Sequence, residues 1–152
     1  MRFNFIFTHI EIFMKDLSIK EALFKVAEFH DSFGILNNTK PTAPLEDGQI
    51  ELRYRLMQEE NKEYLEAAKN NDMVGIADAL GDQLYILCGT ILKHGMQDII
   101  SEVFEEIQRS NMSKLDLNGK PIYREDGKVL KGENYFSPNI KAILAAEIGE
   151  IS

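Results

Sequence analysis

Two helix-length segments, 49–69 and 73–94, are separated by only three residues, Asn70, Asn71 and Asp72. A link that short makes the two helices neighbours, and lets them lie side by side and antiparallel. Asp72 is placed to cap the second of them, and His94-Gly95 to close it. With helices read on both sides of this pair as well, the expected fold class is all-α.

The flanking sequence agrees with that reading. Ser18 and Glu21 form a capping-box pattern with Leu17 ahead as a staple residue, and the first helix runs to about Phe33. Leu23, Val26, Ala27 and His30 are spaced for one of its faces, and Gly34 stops it. Residues 37–48, with Pro41 and Pro44, read as a loop; a fourth helix covers roughly 97–112. After Met112 glycine and proline return, and Asp126-Gly127 between Tyr123 and Val129-Leu130 predicts a small hairpin. Pro138 opens a last short helix through about Glu147. The expectation is one domain over 1–152: a bundle of four main helices at 18–112 and an extension at 113–152.

At the amino end, Phe3, Phe5, Phe7 and Ile10 follow a single Arg2 with no small-residue cleavage site. Two readings of residues 1–13 stand: a short strand or arm packed on another subunit, or a stretch ahead of a natural start at Met14. No segment approaches the ~20 apolar residues needed to cross a bilayer, so no membrane is expected and the cytoplasm is the default compartment. Cys88 is alone, which excludes an internal disulfide and the cysteine-rich zinc patterns, and it reads as a core thiol.

The carboxylates carry the chemistry. On a helical wheel with Glu59 at zero, Glu60 falls at about 100° and Glu63 at about 40°. Leu52, Leu56 and Ala67 lie among them, at about 20–80°. Met57 and Tyr64 lie a little further round, while Asn61, Lys62 and Glu66 take the solvent side. Burying carboxylates on an apolar face is costly, and like charges one turn apart repel. A divalent cation is the simplest partner that removes both penalties, and Mg²⁺ or Mn²⁺ prefers oxygen ligands. On the next helix Asp78 and Asp82 are four residues apart, hence on one face, with Gly75, Ile86 and Gly89. Glycine costs ~1 kcal/mol in a helix interior, so Gly75, Gly81 and Gly89 call for close approach of another helix or a ligand. Antiparallel packing would turn Glu59, Glu60 and Glu63 toward Asp78 and Asp82, around a Mg²⁺ site able to activate water and neutralise phosphate charge.

Glu59-Glu60-Asn61-Lys62-Glu63 followed by Asp78-Ala79-Leu80-Gly81-Asp82 resembles the paired EExxE and ExxD elements of the MazG-like all-α NTP pyrophosphatases, over roughly residues 20–110. That superfamily includes dimeric dUTPases and phosphoribosyl-ATP pyrophosphohydrolase. The first element is complete. In the second, Asp82 matches the final aspartate, but Ala79 stands where the family usually has an acid, and Asp78 is the substitute. The resemblance implies Mg²⁺ on Glu60, Glu63, Asp78 and Asp82, with Glu59 orienting or deprotonating the attacking water. It also implies hydrolysis of a nucleoside triphosphate to monophosphate and pyrophosphate, and a homodimer or homotetramer.

The net charge of -8 argues against binding nucleic acid, yet leaves room for a small nucleotide gripped by a metal and a few cations. Lys114, Lys128 and Lys131 are candidates for that grip, with Ser110 and Asn111 as neutral donors; the segments holding them also resemble the phosphoribosyl-ATP pyrophosphohydrolase-like subgroup. His30 and Tyr135, with neighbours Phe29 and Phe136, are candidates for holding a base, and Tyr64 and Tyr85 read as core. A dUTPase or dCTPase would use the same platform. Phosphoribosyl-ATP ranks below these, because the lysine-rich extension looks unnecessary for it. Of a different class is a helical oligomerisation or regulatory module that has lost catalysis, the reading that Ala79 favours.

Overall fold

The computed structural model describes residues 17–149, so the expectations for residues 1–13 lie outside it. The fold is all-α, with four main helices and an extension that ends in a short fifth: α1 Ile19–Ser32, α2 Gln49–Lys69, α3 Met73–Lys93, α4 Ile100–Met112 and α5 Ile140–Ile148. By internal packing the described chain divides into two compact units, residues 17–37 with 45–93 and residues 38–44 with 94–149.

The first unit is α1 packed on α3, and α3 packed along α2. The capping box opening α1 is complete: Ser18 Oγ accepts from Glu21 N at 3.2 Å, and Glu21 Oε2 accepts from Ser18 N at 2.8 Å. The turn after α2 is drawn tight by Asp72 N donating to Ala67 O at 2.9 Å, with Asn71 in the left-handed region at φ 54°. Asp72 Oδ1 then accepts from Val74 N and Gly75 N, both at 3.1 Å, satisfying two of the free N–H groups that begin α3. Leu23 and Val26 of α1 and Ala79, Cys88, Ile91 and Leu92 of α3 are buried, and burial pushes the Cys88 thiol up in pKa. Lys93 is buried along its stem, with Nζ donating to Leu36 O at 2.6 Å.

The second unit holds the loop 38–44 against the segment after α3. Thr42 N donates to His94 O, His94 Nδ1 donates to Thr42 O, and Gln97 Nε2 donates to Asn38 O. Residues 96–99 form a turn, Ile99 N and Ile100 N both donating to Met96 O, so α4 starts at Ile100 rather than near 97. The last helix is opened by Asn139, not Pro138, because the Asn139 side chain accepts from Ala142 N. The expected hairpin is a single antiparallel bridge, Tyr123 to Val129, around Gly127 at φ 83°. Among the described residues no helix is long and apolar enough to cross a membrane.

Candidate metal and phosphate site

The acids of interest all belong to α2 and α3. On α2, Leu52, Leu56, Ala67 and Glu60 are half-buried, while Glu59 and Glu63 are exposed beside them; Asn61, Lys62 and Glu66 face solvent as expected. On α3, Asp78 and Asp82 are exposed and lie one turn apart. Gln83 Nε2 of α3 donates to Glu60 O of α2 at 3.3 Å, which fixes Glu60 at the level of the Asp82-Gln83 step. Gly75 admits α2 closely, since a methyl group there would lie 2.9 Å from Ala67 Cβ. Gly89 does the same for Arg53 and His30, whereas Gly81 has nothing within 4 Å and its place in the helix has no such explanation.

Glu60 is the electrostatic centre. Burial comes first, and then the charges of Glu63, Asp82, Glu59 and Asp78, in pushing its carboxyl above the ordinary glutamate pKa. Glu60 thus feels the other four acids, two of them on its own helix and two across on α3. The five do not close into a ligand set: among the described residues no three His, Cys, Asp or Glu side chains are grouped so as to hold a metal ion. Position 79 accounts for part of this. Ala79 is only 2% exposed and packs in the core, while Asp78, the substitute acid, stands outside on the surface. One observation nevertheless fits a cation. Glu60 Oε2 is buried with no hydrogen-bond partner, an arrangement that is costly for a carboxylate unless something positive is brought to it.

A cavity of about 550 Å³ lined by Tyr54, Met57, Gln58, Asn61, Gln83 and Leu87 opens in the same unit. Its α2 residues fall at about 160–260° on the wheel that places the acids at 0–100°, so it lies on another flank of the α2–α3 pair.

The other residues selected from sequence have these settings. His30 is 2% exposed, and its Nδ1 lies 2.6 Å from Asn37 Oδ1; taking Oδ1 as the acceptor puts the proton on Nδ1. Tyr64 and Tyr85, expected in the core, are exposed at 38% and 41%; Tyr85 instead meets Phe29 edge to face at 5.7 Å between centroids. In the second unit Ser110 is buried, and its hydroxyl is spent on Phe136 O at 2.8 Å. Lys114 Nζ donates to Asn111 Oδ1 at 2.7 Å, Lys131 stands 4.1 Å over the Tyr135 ring, and Lys128 lies exposed after the Asp126-Gly127 turn.

Sequence reasoning passed over Arg53. Its wheel position, about 120°, adjoins Glu60 on the inward face, a signal as clear as the one that singled out the acids.

No curated protein matches the chain. A family model described as phosphoribosyl-ATP pyrophosphohydrolase matches residues 26–111, from the middle of α1 to the end of α4, with both acidic elements inside the matched span. The match covers more than half of the 152 residues and bears out the resemblance read from the acidic elements, and the chain belongs to the phosphoribosyl-ATP pyrophosphohydrolase family.

Proposed function

We propose that this chain is a Mg²⁺-dependent nucleotide pyrophosphohydrolase whose site is the facing acids of α2 and α3. The observation that carries the reading is the buried, unpartnered Glu60 Oε2, set among four further carboxylates. Glu60, Glu63, Asp78 and Asp82 would hold the ion, with Mn²⁺ an alternative. When bound, it supplies charge neutralisation on the phosphates and a more acidic water. Glu59, exposed at the edge of the group, is free to orient or deprotonate the attacking water.

Family membership supports a pyrophosphohydrolase at the level of the superfamily. The family's description bears more directly on phosphoribosyl-ATP than on the free nucleoside triphosphates that the resemblance to the wider superfamily implies. Phosphoribosyl-ATP therefore leads the substrate panel, followed by dUTP, dCTP and the common triphosphates. The expected products are pyrophosphate and the corresponding monophosphate, made only with Mg²⁺ or Mn²⁺ present. Millimolar Mg²⁺ should also raise the melting midpoint, because it relieves the repulsion at Glu60. Chromatography showing a diphosphate and orthophosphate would overturn the reaction. Silence across the panel, with equal melting in EDTA and in Mg²⁺, would favour the non-catalytic module.

A second copy of the chain is the proposed partner. Leu80, Leu84 and Leu87 of α3 and Tyr54 of α2 are exposed on flanks turned away from the acids. Sedimentation at micromolar concentration should give a dimer or tetramer, and a monomer mass would remove this part of the reading.

A further inference from the structure

Arg53 precedes Glu60 by seven residues, two turns and about 10 Å along α2, on the same inward face. It lies where α1, α2 and α3 meet. A methyl group on Gly89 of α3 would come within 3.0 Å of Arg53 Nη1 and 3.1 Å of His30 Nε2, so the glycine makes room for both heads. Arg53 Nε is buried and has no hydrogen-bond partner, and Arg53 is in none of the ion pairs among the described residues. Among the described residues no Asp or Glu side chain is set against this guanidinium.

A half-buried cation without an anion is costly, as is the buried anion at Glu60. The two uncompensated charges share one helix face and do not pair with each other. A single ligand carrying a metal at one end and an anionic oxygen at the other satisfies both. The route between them is marked on α3, where Asp78, Asp82, Tyr85 and Gly89 follow at steps of four, three and four and so form one stripe. Midway, Tyr85 and Phe29 offer a partly exposed aromatic edge.

We propose that Arg53 binds a phosphate oxygen of the substrate at the end of the site away from the metal-binding acids. The inference rests on the pyrophosphohydrolase reading and adds a residue and a ligand chemistry to it. Guanidinium suits phosphate because its parallel N–H groups match two oxygens while supplying the missing charge. A neutral base carbonyl would accept the hydrogen bond and leave the charge uncompensated. The phosphate has two sources, the outer part of the triphosphate chain or a separate phosphate at the nucleoside end.

Equilibrium binding to the full chain in Mg²⁺ tests this, with wild type, Arg53→Met and Arg53→Lys. The probes are inorganic tripolyphosphate, a non-hydrolysable α,β-methylene nucleoside triphosphate, and the same analogue bearing a second phosphate on its nucleoside end. Arg53→Met should weaken binding about 10- to 100-fold, the usual worth of a charge-assisted pair, with part recovered in Arg53→Lys. Loss with all three probes assigns the contact to the triphosphate chain. Loss confined to the doubly phosphorylated probe assigns it to the remote phosphate. The ligand-free melting midpoint of Arg53→Met should hold or rise, since an uncompensated charge is removed. A lower midpoint, unchanged affinity for every probe, or an equal loss for the unphosphorylated nucleoside would overturn the proposal. If wild type binds no probe and releases no pyrophosphate, the functional reading falls and this inference with it; unchanged Arg53→Met binding beside an active wild type removes the inference alone.

Discussion

Asp82→Asn, Glu60→Gln and Glu63→Gln should each leave a folded protein with almost no turnover, kcat/KM falling by about 100-fold or more, within the usual cost of losing a positioned catalytic group. The expectation follows from where these acids stand. The Glu60 backbone carbonyl accepts from Gln83, which sets the residue's level against α3, and its carboxyl feels the charges of the other four acids. Amide replacements keep volume and remove like charge, so the metal-free melting midpoint should hold or rise in each variant. The discriminating substitution is Asp78→Asn. Ala79 fills the core position at which the family usually carries an acid, and it is too well buried there to be served by water. If Asp78 substitutes from the surface, its amide should cost as much as that of Asp82. The measurement is kcat/KM at saturating Mg²⁺, with helicity checked by circular dichroism. Full activity in both Asp78→Asn and Asp82→Asn would sink the two-helix metal site even if the protein proves to be an enzyme.

The largest stability effect is expected at Gly95→Ala. Gly95 has φ 66°, and a methyl group there would lie 2.1 Å from Lys40 O and 2.5 Å from Lys40 C, both backbone atoms. The left-handed conformation alone costs an alanine about 1–2 kcal/mol. The clash must also displace the loop 38–44, which two hydrogen bonds between Thr42 and His94 tie to the segment after α3. A total of about 3 kcal/mol or more places this among the severe substitutions, and lowers the melting midpoint by about 6–12 °C. Gly127→Ala is the matched comparison, because Gly127 has φ 83° but nothing within 4 Å of the added carbon. Equal losses in the two variants would show that the contact with Lys40 contributes nothing.

The helices were legible where sequence punctuation is strong. Asn70-Asn71-Asp72 marks both the end of α2 and the start of α3, because one side chain, Asp72, caps the next helix within a residue of the break. The start of α4 was misplaced because Met96 to Ile99 has apolar spacing without a capping side chain, and a turn fits the same residues. Periodicity put the acids of α2 on the apolar face or at its edge, without saying which of them lies deepest. Glu60 is half-buried with one oxygen out of water, whereas Glu59 and Glu63 are exposed, a difference in depth that a wheel does not carry. Arg53 was missed for a chemical reason: an arginine beside acids on a helix reads as their partner, and only the packed geometry shows that among the described residues it pairs with none. Tyr85 looked like core by its neighbours, yet α1 meets it with the edge of Phe29 and leaves much of the ring open.

The three-residue link between α2 and α3 has a consequence in time. Closing so short a loop costs little chain entropy, whereas docking α1 on α3 must first close the far longer stretch that contains α2. Contacts local in sequence form early in folding. On that ordering, Glu60 is expected to meet the charges of Glu59, Glu63, Asp78 and Asp82 at one of the first steps, before α1 docks. Their repulsion weighs on how fast the chain folds as well as on how stable it is once folded.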